Sequence, residues 1–308
     1  MAFKRIIKLI SMVVMGLFLS SSGVFSEVLV KDDFEGSRPE GYSLWLQNTN
    51  CCTDTTVDFI TDVVHSGSKS VRVNYVLDDS PRGDCQLHQD NNTSLIYKVS
   101  GNVTHYFFRG YFRIETAEDH FCNNPIIQRK LVYFKPQGWG SGSWAFFIVA
   151  WPWGSNCTQN GYNVSVAYGN AGGTGTTLWG DDGSAGFDTK NNHVYPNQWY
   201  YLEMEAKYAS YGNDSLKVWM SASGSDPVLI FDRTGLALRS PSDVENNIGL
   251  GVVEVGRQVD VSRSDYSLGH INEFRYWDDI VISTEKVGPI SSVAVPGPPQ
   301  NFKINITP

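Results

Sequence analysis

The chain has 308 residues and carries 32 acidic against 24 basic side chains, a formal charge of −8. That balance excludes a general attraction for nucleic acid or for an anionic membrane surface, although a local basic groove stays compatible with it. One apolar stretch stands near the start and no second one follows, so nothing predicts insertion into a bilayer.

Residues 1–26 read as a secretory signal. Lys4, Arg5 and Lys8 precede the apolar run Leu9 to Leu19, and small polar residues lead to a cleavage point after Ser26. Removing it leaves 21 basic against 32 acidic residues, a charge of −11 on an exported chain. The remaining length of about 280 residues fits one large β domain, placed at residues 27–286. Residues 287–308, with Val295-Pro296-Gly297-Pro298-Pro299, read as a stiff tail or linker outside it.

Two acidic bookends frame this domain: Lys31-Asp32-Asp33-Phe34-Glu35-Gly36, and Tyr276-Trp277-Asp278-Asp279-Ile280. Between them, alternation and β-branched or aromatic enrichment predict strands at Ser70–Val76, His105–Ile114, Ile126–Lys135, Ser143–Trp151 and Tyr162–Tyr168. Further strands are predicted at Gln198–Tyr208, Ser215–Ser221, Val228–Phe231, Ile248–Val255 and Ile271–Ser283. Turn-forming clusters separate them, and no amphipathic helix of useful length is present. The pattern predicts an all-β chain, a two-sheet antiparallel sandwich of the jelly-roll kind whose first and last strands meet. Cys51, Cys52, Cys85, Cys122 and Cys157 match no zinc spacing, and export favours disulfides, at most two with one thiol left over.

Alternation sorts the faces. One side of the His105 strand carries Tyr106, Phe108, Phe112 and Ile114; the other, expected to be wetter, carries His105, Phe107, Arg109, Tyr111 and Arg113. By the same period, Gln128 and Lys130 share one side of the following strand, and Arg129 and Tyr133 the other. Lys217 and Trp219 oppose Leu216, Val218 and Met220.

The bookends, the turn His65-Ser66-Gly67-Ser68-Lys69-Ser70, the segment Gln128-Arg129-Lys130-Leu131-Val132-Tyr133-Phe134, and Gln198-Trp199-Tyr200-Tyr201-Leu202-Glu203 form a recognisable order. Together they resemble secreted bacterial proteins of the concanavalin A-like jelly-roll class, polysaccharide-lyase-like members above all, and are also similar to jelly-roll carbohydrate-binding modules. The resemblance implies a sheet that grips a glycan and a structural calcium joining the terminal strands. By position, Glu35 and Asp278 are its candidate ligands, with Asp33 and Asp279 beside them; calcium takes six to eight oxygens.

A lyase acting on a uronate polymer must neutralise a carboxylate and then move a proton with Tyr or His. Arg109, Arg113, Gln128 and Lys130 are the candidates for the first task, and Tyr111, Tyr133 and His120 for the second. Trp139, Trp153, Lys217 and Trp219 are candidates for substrate binding, because aromatic planes stack on sugar rings. The segment departs from the lyase motif after Lys130-Leu131, where Val132-Tyr133-Phe134 stand in place of Pro or Gly. Glu203 and Glu205 point the same way on one strand, but their spacing does not match the jelly-roll glycosidase pattern. His65, His88 and His193 lie in turns and read as surface histidines. The sequence therefore predicts a polysaccharide lyase for an acidic glycan, with a non-catalytic carbohydrate-binding domain as the alternative.

Overall fold

The computed structural model describes residues 27–46, 56–77, 93–115, 127–138, 144–152, 161–170, 177–179, 191–261 and 271–290. The leader, all five cysteines, His120, Trp139 and Trp153 lie outside the described residues.

The strands, in chain order, are β1 (Val28–Asp32), β2 (Tyr42–Leu46), β3 (Thr56–Ile60), β4 (Ser70–Leu77), β5 (Thr93–Val103), β6 (His105–Glu115), β7 (Ile127–Pro136) and β8 (Trp144–Pro152). They continue as β9 (Tyr162–Asn170), β10 (Thr177–Trp179), β11 (His193–Val194), β12 (Tyr200–Lys207), β13 (Asp214–Ala222), β14 (Val228–Leu236), β15 (Leu250–Val261) and β16 (Ile271–Ser283). Among the described residues there is one helix, α1 (Pro241–Glu245), whose N-terminus is closed by a capping box in which Ser240 and Asp243 exchange hydrogen bonds.

Two eight-stranded sheets result. Sheet I runs β14-β13-β12-β6-β16-β4-β3, with β1 also on β16; sheet II runs β10-β9-β8-β7-β15-β5-β2, with β11 on β9. Every pairing is antiparallel, and consecutive strands repeatedly cross between sheets, as when β6 in sheet I is followed by β7 in sheet II. The chain is an all-β jelly-roll sandwich. Its ends do meet: Lys31 lies opposite Val281 and Asp32 opposite Ile280. No described helix is long and apolar enough to cross a membrane.

The core lies between the sheets, where the inward residues of β6 and β16 face those of β7, β8, β9 and β15. Trp277, Phe108, Phe112, Phe134 and Tyr97 are fully enclosed there. Each such ring contributes roughly 1.5–3 kcal/mol by leaving water. β13 shows the alternation clearly, its residues switching between buried and half-buried.

Two features break that simple alternation. A bulge in β7 puts Leu131 and Val132 both into the core, with a register shift between Lys130 and Val132. Lys130 therefore faces outward on the same side as Tyr133, which corrects the period-two assignment of these two residues to opposite faces. Inside the sandwich, buried Arg275 of β16 holds Glu273 through Nε at 2.7 Å and donates to the Lys130 carbonyl at 3.4 Å. A charged pair thus reaches across the core to the bulge.

Candidate active site

Sequence reasoning placed one groove across the His105 strand and its successor. The structure divides these residues between the two sheets: Arg109, Tyr111 and Arg113 lie on β6 in sheet I, whereas Gln128, Lys130 and Tyr133 belong to β7 in sheet II. The sandwich stands between them, so they build no common groove.

The outward side of β6 is also not wet. Phe107, Arg109 and Tyr111 are all buried, because two segments of the chain lie over them. From one side comes the turn after β3, whose His65 ring stacks on Tyr111 at 3.6 Å between centroids. From the other comes the chain after β16, which forms a strap. Val287 and Gly288 donate their N–H groups to Glu203 Oε1 at 2.9 and 3.0 Å, and Ile290 donates to the Tyr111 hydroxyl at 2.9 Å. Lys286 sits over the Trp219 ring at 3.8 Å. Residues 287–290, assigned from sequence to a free tail, are thus part of the folded surface.

Several sheet I side chains are paired within the sheet, while Arg109 Nε and Arg113 Nε find no hydrogen-bond partner among the described residues. Lys217 lies 3.6 Å from Asp232, Arg113 pairs with Glu115 at 3.6 Å, and Glu203 Oε2 accepts from Tyr201 at 2.6 Å. Burial pushes the Tyr111 hydroxyl up; the Ile290 N–H and the Arg109 charge oppose this. A phenol held in that way is poorly placed to move protons at neutral pH.

The acidic bookends act on the His65–Lys69 turn. Glu35 Oε1 accepts the N–H groups of Ser68 and Lys69 at 2.6 and 2.8 Å, and its other oxygen accepts the Ser68 hydroxyl. These bonds draw the Glu35 carboxyl below its ordinary value, the Ser68 hydroxyl most of all. Gly67 is required here: its φ is +62°, and a Cβ would stand 2.3 Å from Glu35 Oε1. Asp278 Oδ2 accepts from His65 N and Ser66 N at 3.0 and 3.1 Å, and Asp279 Oδ2 accepts from the Ser66 hydroxyl at 2.8 Å. Half-buried Asp33 accepts from Glu35 N and pairs with Lys31.

These carboxylates therefore face N–H and O–H donors, a different environment from the oxygen cage calcium requires. Among the described residues, no cluster joins Glu35 or Asp33 to Asp278 or Asp279, and the group His65, Asp278 and Asp279 includes a nitrogen. The four residues named for calcium do not form a fitting site.

The outward side of sheet II is likewise buried along Tyr133, Phe147, Val149 and Ser165. Tyr133, Ala145, Phe147, Val149 and Ala167 form a second, smaller apolar cluster there, with Tyr133 stacked on Phe147 at 4.5 Å. The Lys130 ammonium lies 5.6 Å from the Tyr133 ring centroid and 5.4 Å from that of Phe147. Lys135 and Glu254 make a buried ion pair on the same side. Register places Ser165 of β9 level with Val149 and hence with Lys130. Two residues along, Asn163 pairs with His193 of β11.

Among the described residues, Ser165 Oγ and Asn163 Oδ1 are buried without a hydrogen-bond partner. Burial draws the His193 imidazole below its ordinary value, which favours the neutral ring at pH 7. Lys130, Tyr133, Asn163, Ser165 and His193 therefore share one face. It offers a cation, a phenol, a neutral imidazole and unspent hydrogen-bonding atoms. Sequence reasoning named Lys130 and Tyr133 but not Asn163, Ser165 and His193. The alternation of β9 placed Asn163 and Ser165 opposite its core residues, and that was the available signal. The side chain of Gln128 lies outside the described residues.

No protein-family model matches the sequence, and no curated protein matches it. Solved structures do. An endo-β-1,4-glucuronan lyase from the fungus Trichoderma reesei superposes with a TM-score of 0.53 at 13% identity, over 84% of this chain and 96% of that one. An alginate lyase from Aplysia kurodai gives 0.48 at 12% identity over 87% and 100%, and one from Klebsiella pneumoniae gives 0.44 at 9% over 73% and 83%. The chain therefore shares the jelly-roll β-sandwich fold of the glucuronan lyase.

Proposed function

We propose that this protein is an exported polysaccharide lyase that cleaves an acidic, uronate-containing glycan by β-elimination on the outward face of sheet II. The observation that carries this reading is the shared face itself, where Lys130 and Tyr133 sit beside the partnerless Asn163 and Ser165. A buried polar atom without a partner is costly, and the hydroxyls and carboxylates of a glycan supply what these atoms lack. The glucuronan-lyase-like fold agrees with that chemistry.

In this mechanism Lys130 holds the uronate carboxylate, which stabilises the negative charge that develops when the adjacent carbon loses its proton. The Tyr133 phenolate takes that proton, and the Tyr133 hydroxyl so formed protonates the departing glycosidic oxygen. The C–O bond breaks as the new C=C bond forms. Phe147 fixes the plane of Tyr133, and Asn163 and Ser165 bind sugar hydroxyls.

The test is incubation of the mature protein with alginate, glucuronan and heparin-like polymers while following the ultraviolet absorbance of unsaturated uronate. Absorbance rising on at least one polymer is the expected result. Retention on a glycan column without turnover would replace the enzyme by a carbohydrate-binding domain. No turnover and no retention would overturn both.

A further inference from the structure

The turn that covers β6 carries chemistry unrelated to uronate binding. His65 Nδ1 lies 3.1 Å from Asp279 Oδ2, and His65 Nε2 lies 2.9 Å from Ser223 Oγ. We infer that Ser223, His65 and Asp279 form a hydrogen-bonded serine–histidine–aspartate relay that hydrolyses carboxylic esters with a short acyl group.

Four observations support it. An ionised carboxylate only accepts, so Asp279 fixes the proton on Nδ1 and leaves Nε2 to accept from the Ser223 hydroxyl. The imidazole is held rigidly: its face stacks on Tyr111, and the Trp199 ring meets it edge-on at 5.7 Å. Asp279 has φ +52° at the register shift of β16, between Asp278 and Val281. Such strain and such bulges re-aim side chains at functional sites; here the bulge turns Asp279 toward the histidine.

The fourth observation concerns access. Ser223 is exposed in the Ala222–Ser225 turn joining β13 to β14, tied down by its own N–H to the Trp199 carbonyl and by Ser225 N to the Ala222 carbonyl. Gly224 follows at φ +84° with open space where a Cβ would stand. No hydrogen bond occupies its N–H among the described residues. That N–H is available to an oxyanion formed beside Ser223. The open setting limits recognition of the acyl group, hence the short-chain class.

In the reaction Ser223 Oγ bonds to the ester carbonyl carbon while its proton passes to His65 Nε2. The alkoxy C–O bond then breaks, and the alcohol leaves with that proton. Water attacks the acyl-serine and gives a proton to His65. The acyl–Oγ bond breaks, the proton returns to Ser223, and the carboxylic acid departs. Asp279 is a positioning residue throughout. The titratable groups facing His65 are Asp278 and Asp279 from β16 and Tyr111 from β6.

The test uses the mature protein with a fluorophosphonate label and p-nitrophenyl acetate. The label is expected on Ser223, located by peptide mass spectrometry. Ser223→Ala is expected to abolish labelling and to lower kcat/KM at least a hundredfold, with Tm unchanged because the side chain is exposed. Asp279→Asn is expected to lower kcat more than tenfold while leaving KM within about twofold, since a positioning residue does not touch the ester. A folded wild-type protein that leaves Ser223 unlabelled would overturn the proposal, as would full ester turnover by Ser223→Ala.

Discussion

The two outward faces of the sandwich were built from similar residues and reached opposite ends. On sheet I, Arg109, Tyr111, Arg113, Glu203 and Trp219 look like a glycan groove in sequence, yet the chain covers them with its own turn and strap. On sheet II, a plainer set leaves Asn163 and Ser165 with polar atoms that no described residue satisfies. Arg109 Nε and Arg113 Nε on sheet I are unsatisfied as well, so the difference lies in cover: the turn and strap seal sheet I, whereas Lys130, Asn163 and His193 on sheet II are only half-buried.

That contrast breaks most readily at the two tyrosines. Tyr133→Phe is expected to lower uronate-polymer cleavage by about 10²–10⁴-fold, the usual range for loss of an acid–base group, while Tyr111→Phe changes it less than about threefold. A reversal of the two results, measured by product absorbance, would move the site to sheet I. Arg275→Ala removes the buried guanidinium from which Glu273 accepts and is expected to cost about 3–5 kcal/mol in denaturant unfolding. In a variant that still folds, lyase activity should fall as well, because Arg275 also holds the Lys130 carbonyl.

Smaller effects sharpen the same comparison. Glu203→Ala removes the acceptor for Tyr201, Val287 and Gly288, an expected loss of about 2–3 kcal/mol, with faster proteolysis of the released strap and unchanged lyase activity. Burial, with the Asp279 charge adding to it, pushes Asp278 up from its ordinary 3.8 to about 7. A carboxyl raised on folding lends full stability below its unfolded value and loses it as pH climbs through the folded one. Unfolding free energy should therefore fall between about pH 4 and pH 7, by no more than about 1.4 kcal/mol per pH unit from this group. Asp278→Asn should flatten that slope. Smallest of all, calcium or a chelator is expected to shift Tm by less than about 1 °C, since binding stabilises only where a fitting site exists.

Much of the fold was legible because β strands announce themselves by alternation and turn residues. The terminal pairing of β1 with β16 followed from the placement of the bookends. The site was harder to read, for local reasons. Lys130 and Tyr133 are three apart, so strict alternation separates them, and only the extra residue at Leu131 reunites them. His65 was read as a surface histidine because its partners lie 158 and 214 positions away along the chain. The strap was missed because proline-rich sequence beyond it coloured the whole segment. Which strand joins which sheet has no local signal, and that assignment separated Arg109 from Lys130.

The strap also sets an orientation. Ile290 is fastened over Tyr111, so the strap and its Lys286 lie on sheet I, separated from the outward face of sheet II by the roughly 10 Å between stacked sheets. Coupling to a resin through Lys286 would hold sheet II toward the medium, whereas coupling through Lys130 would bury the proposed working surface against the support.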